Sequence, residues 1–352
     1  MSSHILKLRA YVNNPERLDF SQDIVELDQS ELPTLLVLDE TLAHDLLRSP
    51  LCATYNLMDY WKVVTRSDQQ PALDRLFRET PFFLHGEEHR EINRQMTKPY
   101  RRVESQLLEW LPSLTAEYLE SIEAAGTVSA YSAIAEYIRQ VFVTLLAREF
   151  AVKPELVPSF DPSCGLFVMF QSAENFAQLE AVVSELYALG SKQFAEQGRD
   201  ESELSALLSI AMMGREPLFA VILYGLMQSS ADSSWGPQAL LRDSAPVSIL
   251  GRQMLADSVI GGRLFKRGQI INIATFLVRP KTAEGCPMTG HRPNAKRSLE
   301  FGAGPHLCNG RAISIAIIDV FFREWAKRPL TNLDFSKTRL FRDFVTVPKE
   351  RR

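Results

Sequence analysis

Apolar residues along this chain recur mostly at helical spacing. Leu107, Leu108, Leu111, Leu114, Tyr118, Leu119 and Ile122 return every three or four positions and Gly126 follows, so 104–125 reads as an amphipathic helix with a glycine stop. A second helix is predicted from about Ala130 to Phe150, where IRQVFVTLLAREF is apolar on most faces, as befits burial among other helices. Residues 174–198 form a more charged helix, and 201–228 reads as one long helix, apolar nearly all round, at the centre of the fold. Within it Pro217 removes a backbone donor and crowds the preceding turn, which predicts a kink or local opening beside Gly214, Arg215 and Glu216. The stretch RAISIAIIDVFFREWAKR, after Cys308, is apolar along one side and basic at its end, as a helix C-terminus favours.

Strand patterns are fewer. After a polar N-terminal region, PTLLVLD (33–39) reads as a short buried strand leading into a helix through ETLAHDLLRS that Pro50 stops. Residues 246–278 are β-branched, Gly-rich and alternating, the pattern of a small sheet with tight turns. No repeat, low-complexity tract or interdomain linker interrupts the 352 residues, so a single, mainly α domain with a minor β portion is expected over 1–352.

Composition narrows the function classes. With 45% hydrophobic and 23% charged residues the chain can bury a large core, and a net charge of −4 argues against nucleic-acid binding by bulk electrostatics. Cys52, Cys164, Cys286 and Cys308 are widely separated and lack CxxC spacing, so neither a disulfide framework nor a structural zinc site is suggested. The N-terminal MSSHILKLRAYVNN lacks the apolar core of a signal peptide, and no run approaches eighteen uninterrupted apolar residues; a cytoplasmic protein without a membrane anchor is expected.

The candidate chemistry sits at 301–310, FGAGPHLCNG, where three glycines surround one His and one Cys just before an apolar helix. Three readings fit: a haem thiolate loop, a catalytic Cys-His pair, or a glycine turn holding a buried Cys. A helix N-terminus would favour a thiolate at Cys308, and glycines at 302, 304 and 310 would allow positive φ and close approach of the backbone to a flat macrocycle. A Cys-His pair two residues apart does not naturally aim its members at each other.

The segment resembles the haem-binding loop of the cytochrome P450 family at Phe301, Gly302, Gly304, His306, Cys308 and Gly310, with Asn309 where the family usually has an apolar residue. That resemblance implies a cytochrome P450-like fold and haem b, iron protoporphyrin IX, with Cys308 as the axial thiolate, Phe301 covering the sulfur and His306 reaching a propionate. By the same resemblance His89 in GEEHREINR and Arg252 in DSAPVSILGR bind propionates; Asn93 occupies a family arginine position, with Arg94 next to it as a substitute. The long helix matches at Gly214 and Glu216 but has Pro217 in place of the family threonine, which with its acidic neighbour organises proton delivery to bound dioxygen. Met213 replaces a small residue over the haem. The segment from Ala239 to Arg242 lacks the family's Glu of Glu-x-x-Arg, and SSADSSWGP stands where a further helix is expected, a truncation between the long helix and the K-helix.

The resemblance thus implies an atypical haem-thiolate oxidoreductase, bacterial and in specialised metabolism, that oxidises a small or medium organic molecule with dioxygen and electrons from a ferredoxin-type partner. Glu216 would supply protons, while Arg215 would bind a substrate carboxylate or pair with Glu216. Lys98, Arg101, Arg102, Lys296 and Arg297 are candidates for steering the acidic partner. Peroxide-driven peroxygenase, haem-thiolate isomerase or dehydratase, and a non-catalytic docking or scaffold protein are the alternatives. Substrate walls are expected from 77–84, Phe167 to Phe176, the centre of the long helix, Ser248 to Leu250 and the C-terminal LFRDFV.

Overall fold

A computed structural model describes residues 3–55, 57–66, 70–159, 165–169, 171–228, 236–278 and 299–350. Its helices are α1 (Ser3–Asn13), α2 (Glu40–Arg48), α3 (Leu57–Thr65), α4 (Pro71–Arg78), α5 (Gly86–Ala124), α6 (Ala130–Phe150), α7 (Ala173–Gln197), α8 (Leu204–Gln228), α9 (Pro237–Ser244) and α10 (Arg311–Lys327). The strands are β1 (Ile24–Glu26), β2 (Leu35–Val37), β3 (Cys52–Thr54), β4 (Val128–Ser129), β5 (Ile249–Met254), β6 (Ser258–Ile260), β7 (Arg263–Phe265), β8 (Ile270–Ala274), β9 (Leu333–Asp334), β10 (Thr338–Arg342) and β11 (Thr346–Glu350).

Local chemistry sets the helix limits. Ser129 and Ser172 cap α6 and α7 by accepting the backbone N–H groups of Ser132 and Asn175, and α7 stops at Gly198 in the left-handed region. The amphipathic pattern at 104–125 is only the second half of α5, which starts at Gly86 and absorbs the charged run GEEHREINR. Its interior Pro99 and Pro112 do not interrupt it. Pro217 likewise lies inside a continuous α8, so the opening expected there reduces to the Met213 carbonyl losing its N–H partner. The N-terminal region is not merely polar: α1 buries Leu8 and Val12 against Leu36, Ile249 and Leu277, each contributing roughly 1.5–3 kcal/mol.

The core is organised around α8. It packs against α5, α6, α7, α9, α10 and the β11 arm of the C-terminal hairpin, which explains why its residues are buried on nearly every side. Among the described residues the segment Glu201–Gln228 is also the one helix long and apolar enough to cross a membrane, but 83% of its most apolar window is buried inside the fold. The main sheet runs β1-β2-β8-β5-β3, with β2 parallel to β8 and the other pairs antiparallel. Its register sets Thr54 of β3 directly across from Arg252 of β5. The expected truncation falls after Gln228, where α9 begins at Pro237; most of SSADSSWGP lies outside the described residues.

Candidate functional site

The turn 299–310 lies between the sheet and the start of α10, and its backbone is closed on itself. Gly302 N–H bonds the Leu299 carbonyl at 2.9 Å, and Cys308 N–H bonds the Phe301 carbonyl at 2.9 Å. Gly302 and Gly304 have φ of +73° and +68°, the region that favours glycine. A Cβ at Gly304 would also fall 2.5 Å from the Leu47 carbonyl, so this glycine is fixed by packing on the end of α2 as well as by its conformation. Gly310 has an ordinary φ of −79°, and a Cβ there would make normal contacts with Tyr100 and the Cys308 sulfur. Neither special backbone nor crowding therefore requires that glycine. Gly214 likewise sits close to the Phe142 ring, at 3.2 Å from where its Cβ would be.

Cys308 opens onto a cavity between α5, α8, β5 and its own turn that is continuous with solvent. The Cys308 side chain is exposed to that space, and the surrounding protein raises its thiol above the ordinary value, opposed by the Gly310 backbone N–H. A cation bound at the sulfur would add to the helix entrance in favouring the thiolate. Phe301 lines the cavity beside it, with the Arg311 guanidinium 5.7 Å from its ring centre.

Three basic side chains gather at the same cavity. Arg252 is 3% exposed, donates to the neighbouring Gly251 carbonyl at 2.8 Å, leaves its Nε without a partner and pairs with no carboxylate among the described residues. Burial lowers its pKa to about 10. The His306 and His89 rings are 4.2 Å apart, and the Thr54 hydroxyl lies 3.3 Å from His306 Nε2. Burial, then Arg252 and the neighbouring histidines, push His306 down to about 3, and burial lowers His89 as well. Burial leads each of these shifts, so the two imidazoles stay neutral and the charge of the group is that of Arg252, which no carboxylate among the described residues balances.

Several predicted site residues are not brought here. Arg94 is 78% exposed and donates to Glu91 at 2.6 Å, on the outer face of α5. Asn93 lines the cavity instead and accepts from the Asn309 amide at 2.6 Å. The two asparagines that depart from the family pattern therefore bond to each other and tie the cysteine turn to α5. Residues 209, 210, 213, 214, 217, 218 and 221 form the face of α8 that lines the cavity; at roughly 100° per residue Arg215 and Glu216 fall outside it. Glu216 accepts the backbone N–H groups of Leu166 and, at 3.3 Å, Phe167, with Arg215 3.5 Å away. Burial raises its carboxyl, offset by Arg215 and those N–H groups. Neither Glu216 nor Arg215 is among the residues that line the cavity beside Cys308, and Arg215 pairs with Glu216, the second of the two roles expected for it.

Other expectations resolve similarly. Arg242, without the missing Glu, bonds Asp243 at 2.9 Å and has Glu300 close enough to help raise its pKa. Arg102 bridges Glu149 at 3.0 Å and Glu203 at 2.8 Å in a cluster with Arg199, so it is a brace between α5, α6 and the entrance of α8 and not a free docking charge. Lys98 and Arg101 are exposed, whereas Lys296, Arg297, Cys164 and Cys286 lie outside the described residues. The expected walls do meet: Phe82, Phe83, Phe167, Met213, Leu250 and Phe344 all line the cavity.

Sequence reasoning missed Tyr100. It is half-buried at the cavity, its hydroxyl is 2.9 Å from that of Ser209 on α8, and it lies near the Cys308 sulfur. A signal existed, because His89, Asn93, Met96 and Tyr100 are spaced four, three and four apart, one face of a helix once α5 is extended back to Gly86.

No protein family and no curated protein matches the chain by sequence. Solved structures do match. P450BioI, in complex with a hexadec-9Z-enoic acid ligated acyl carrier protein, is 14% identical with a TM-score of 0.74, over 97% of this chain and 98% of that one. The chain has the cytochrome P450 fold. P450 RauA, complexed with a biosynthetic intermediate of aurachin RE, is 18% identical with a TM-score of 0.70, over 97% and 96% of the two chains. The cytochrome P450 PksS of the Bacillus subtilis 168 bacillaene polyketide synthase is 14% identical with a TM-score of 0.69, over 99% of each.

A cytochrome P450 fold implies haem on a cysteine thiolate, and the residues present fit that group. Cys308 faces the cavity, the buried Arg252 with its unpartnered Nε supplies a cation for a propionate, and the neutral His306 and His89 alongside offer ring N–H donors.

Proposed function

We propose that the chain is a haem-thiolate oxidase that oxidises a small or medium, largely apolar organic molecule in bacterial specialised metabolism. The observation that carries this reading is the Arg252 guanidinium, buried without a carboxylate among the described residues beside His89 and the half-buried His306 at the cavity that Cys308 faces. Cys308 would ligate the iron, while Arg252, His306 and His89 would hold the propionates. Bound there, haem supplies oxidative chemistry at a thiolate-ligated iron.

The chain's own residues do the rest. Phe82, Phe83, Phe167, Met213, Leu250 and Phe344 exclude water and offer apolar contact to a substrate. With Arg252 and the histidines committed to propionates, the described lining leaves little to neutralise an anionic substrate, which favours a neutral one. Tyr100 and Ser209 tie α5 to α8 beside the sulfur. Electrons would come from a ferredoxin-type partner, and a carrier-tethered substrate is compatible with the open mouth of the cavity. We place the protein in the cytoplasm.

One observation favours a second reading. The cavity face of α8 presents Pro217 where a hydroxyl would be needed, and Glu216 is turned away. Chemistry that needs no protonation of dioxygen, driven by peroxide or by direct substrate rearrangement, would not miss them. Turnover of the haem-loaded protein separates the readings: product that requires a reductase and dioxygen supports the first, and product from hydrogen peroxide alone supports the second. A purified chain that takes up no haem would overturn both and leave a docking protein.

A further inference from the structure

Residues 165–169 form no helix or strand, yet side chains from across the fold hold their backbone. The Gly165 carbonyl accepts from Gln171 at 3.2 Å and Asn175 at 2.8 Å, and the Val168 carbonyl accepts from the Trp61 indole at 3.2 Å. The Met169 N–H donates to Asp343, while the Leu166 and Phe167 N–H groups donate to the two oxygens of Glu216. A buried irregular backbone needs such partners, because an unpaired amide costs most where water is absent. Gly165 is small for a reason, since a Cβ there would fall 2.8 Å from a Val168 methyl.

This bracing has a purpose that the position of Phe167 discloses. Its ring centre is 5.2 Å from that of Phe82 and 6.4 Å from that of Trp61, and Phe82 meets Phe83 edge-on at 4.6 Å. Phe82, Phe83 and Phe167 all line the cavity. Such an array offers ring faces and edges to an aromatic or flat apolar group. Its shape depends on the 165–169 backbone staying in place.

We infer that Glu216 is a positioning residue: it pins Leu166 and Phe167 by their amides and so sets the aromatic wall that selects an aryl or flat apolar part of the substrate. The residue that sequence reasoning assigns to proton delivery acts on specificity, from outside the cavity.

The substrate half of this inference rests on the haem reading, so its test has two arms. Haem-loaded protein is titrated with imidazole and with 4-phenylimidazole, following the Soret shift. Only the second carries a ring able to reach the wall. Glu216→Gln and Phe167→Ala should each weaken 4-phenylimidazole about ten-fold and leave imidazole unchanged, with the double variant no weaker than Phe167→Ala. Equal affinities in wild type and Glu216→Gln, or equal losses for both ligands, would overturn the inference. The second arm needs no haem. Amide hydrogen exchange at Leu166 and Phe167 should quicken about ten-fold or more in Glu216→Gln, and in Glu216→Asp should the first variant fail to fold, while α10 is unchanged. Unchanged exchange at those amides overturns the inference whether or not haem binds. A wild-type chain with no Soret band contradicts the haem reading alone, and the exchange arm then decides for Glu216.

Discussion

The two sides of the cavity differ in how completely they are equipped. On the cysteine side, departures from the family pattern are matched by other departures: Asn309 bonds Asn93, and Arg242 finds Asp243 and Glu300. On the α8 side Pro217 faces the cavity and Glu216 is committed to the backbone of Leu166 and Phe167. Holding a large anionic cofactor would engage many residues at once, while a reaction run on it would depend on a few. The fold therefore keeps the first function legible and leaves the second open.

The contrast can be broken most severely at the sulfur. Cys308→Ser should abolish the spectral signature of thiolate ligation outright, measured as the carbon monoxide difference spectrum of the reduced protein, with the far-UV circular dichroism unchanged. Arg252→Met comes next and should split by state. Haem affinity should fall about thirty-fold or more, since a buried charge partner is worth at least ~2 kcal/mol. The haem-free protein should gain about 1 kcal/mol or more, because the variant removes a buried cation that no carboxylate balances. Haem titration and urea unfolding of both forms check the two signs; a loss of stability in both would mean that Arg252 is simply part of the core.

Smaller changes probe the α8 side. Pro217→Thr returns an N–H toward the Met213 carbonyl and a hydroxyl to the cavity face, so it should stabilise the fold by about 1–2 kcal/mol by thermal unfolding. If dioxygen is the oxidant it should also raise product formed per electron consumed. The least effect is expected from the titration of Glu216. Burial raises its folded pKa above the ordinary 4.5, so the folded chain binds this proton more tightly than the unfolded chain does. Stability from this group is present below 4.5 and falls as pH rises through the folded value. Glu216→Gln should remove that slope, seen as a flatter pH dependence of urea unfolding above pH 4.5 than in wild type.

Legibility in the sequence depended on which signals are local. Helix periodicity located α6, α7, α8 and α10 to within a few residues, because their apolar faces meet a core that agrees with the local pattern. The start of α5 was hidden, since GEEHREINR is charged nearly all round and its helix is held by the apolar face that begins at Met96. That concealed Tyr100 and the alignment of His89 with Asn93. The C-terminal hairpin β10–β11 and the first helix were also missed, being short elements fixed by distant contacts. Cys308, His306 and Arg252 were read from the loop and strand that carry them, and they line one cavity. Glu216, expected there too, lies off that face of α8, because a motif gives a residue's position along a helix and says little about which loop will claim its carboxylate.

Everything proposed for the reaction depends on Cys308 and the cationic cluster holding a thiolate-ligated haem. The carbon monoxide spectrum of the reduced, haem-loaded protein tests this most directly: the expected result is the red-shifted Soret band of thiolate ligation in wild type and its loss in Cys308→Ser. A chain that takes up no haem, or a band that the substitution leaves unchanged, would contradict it.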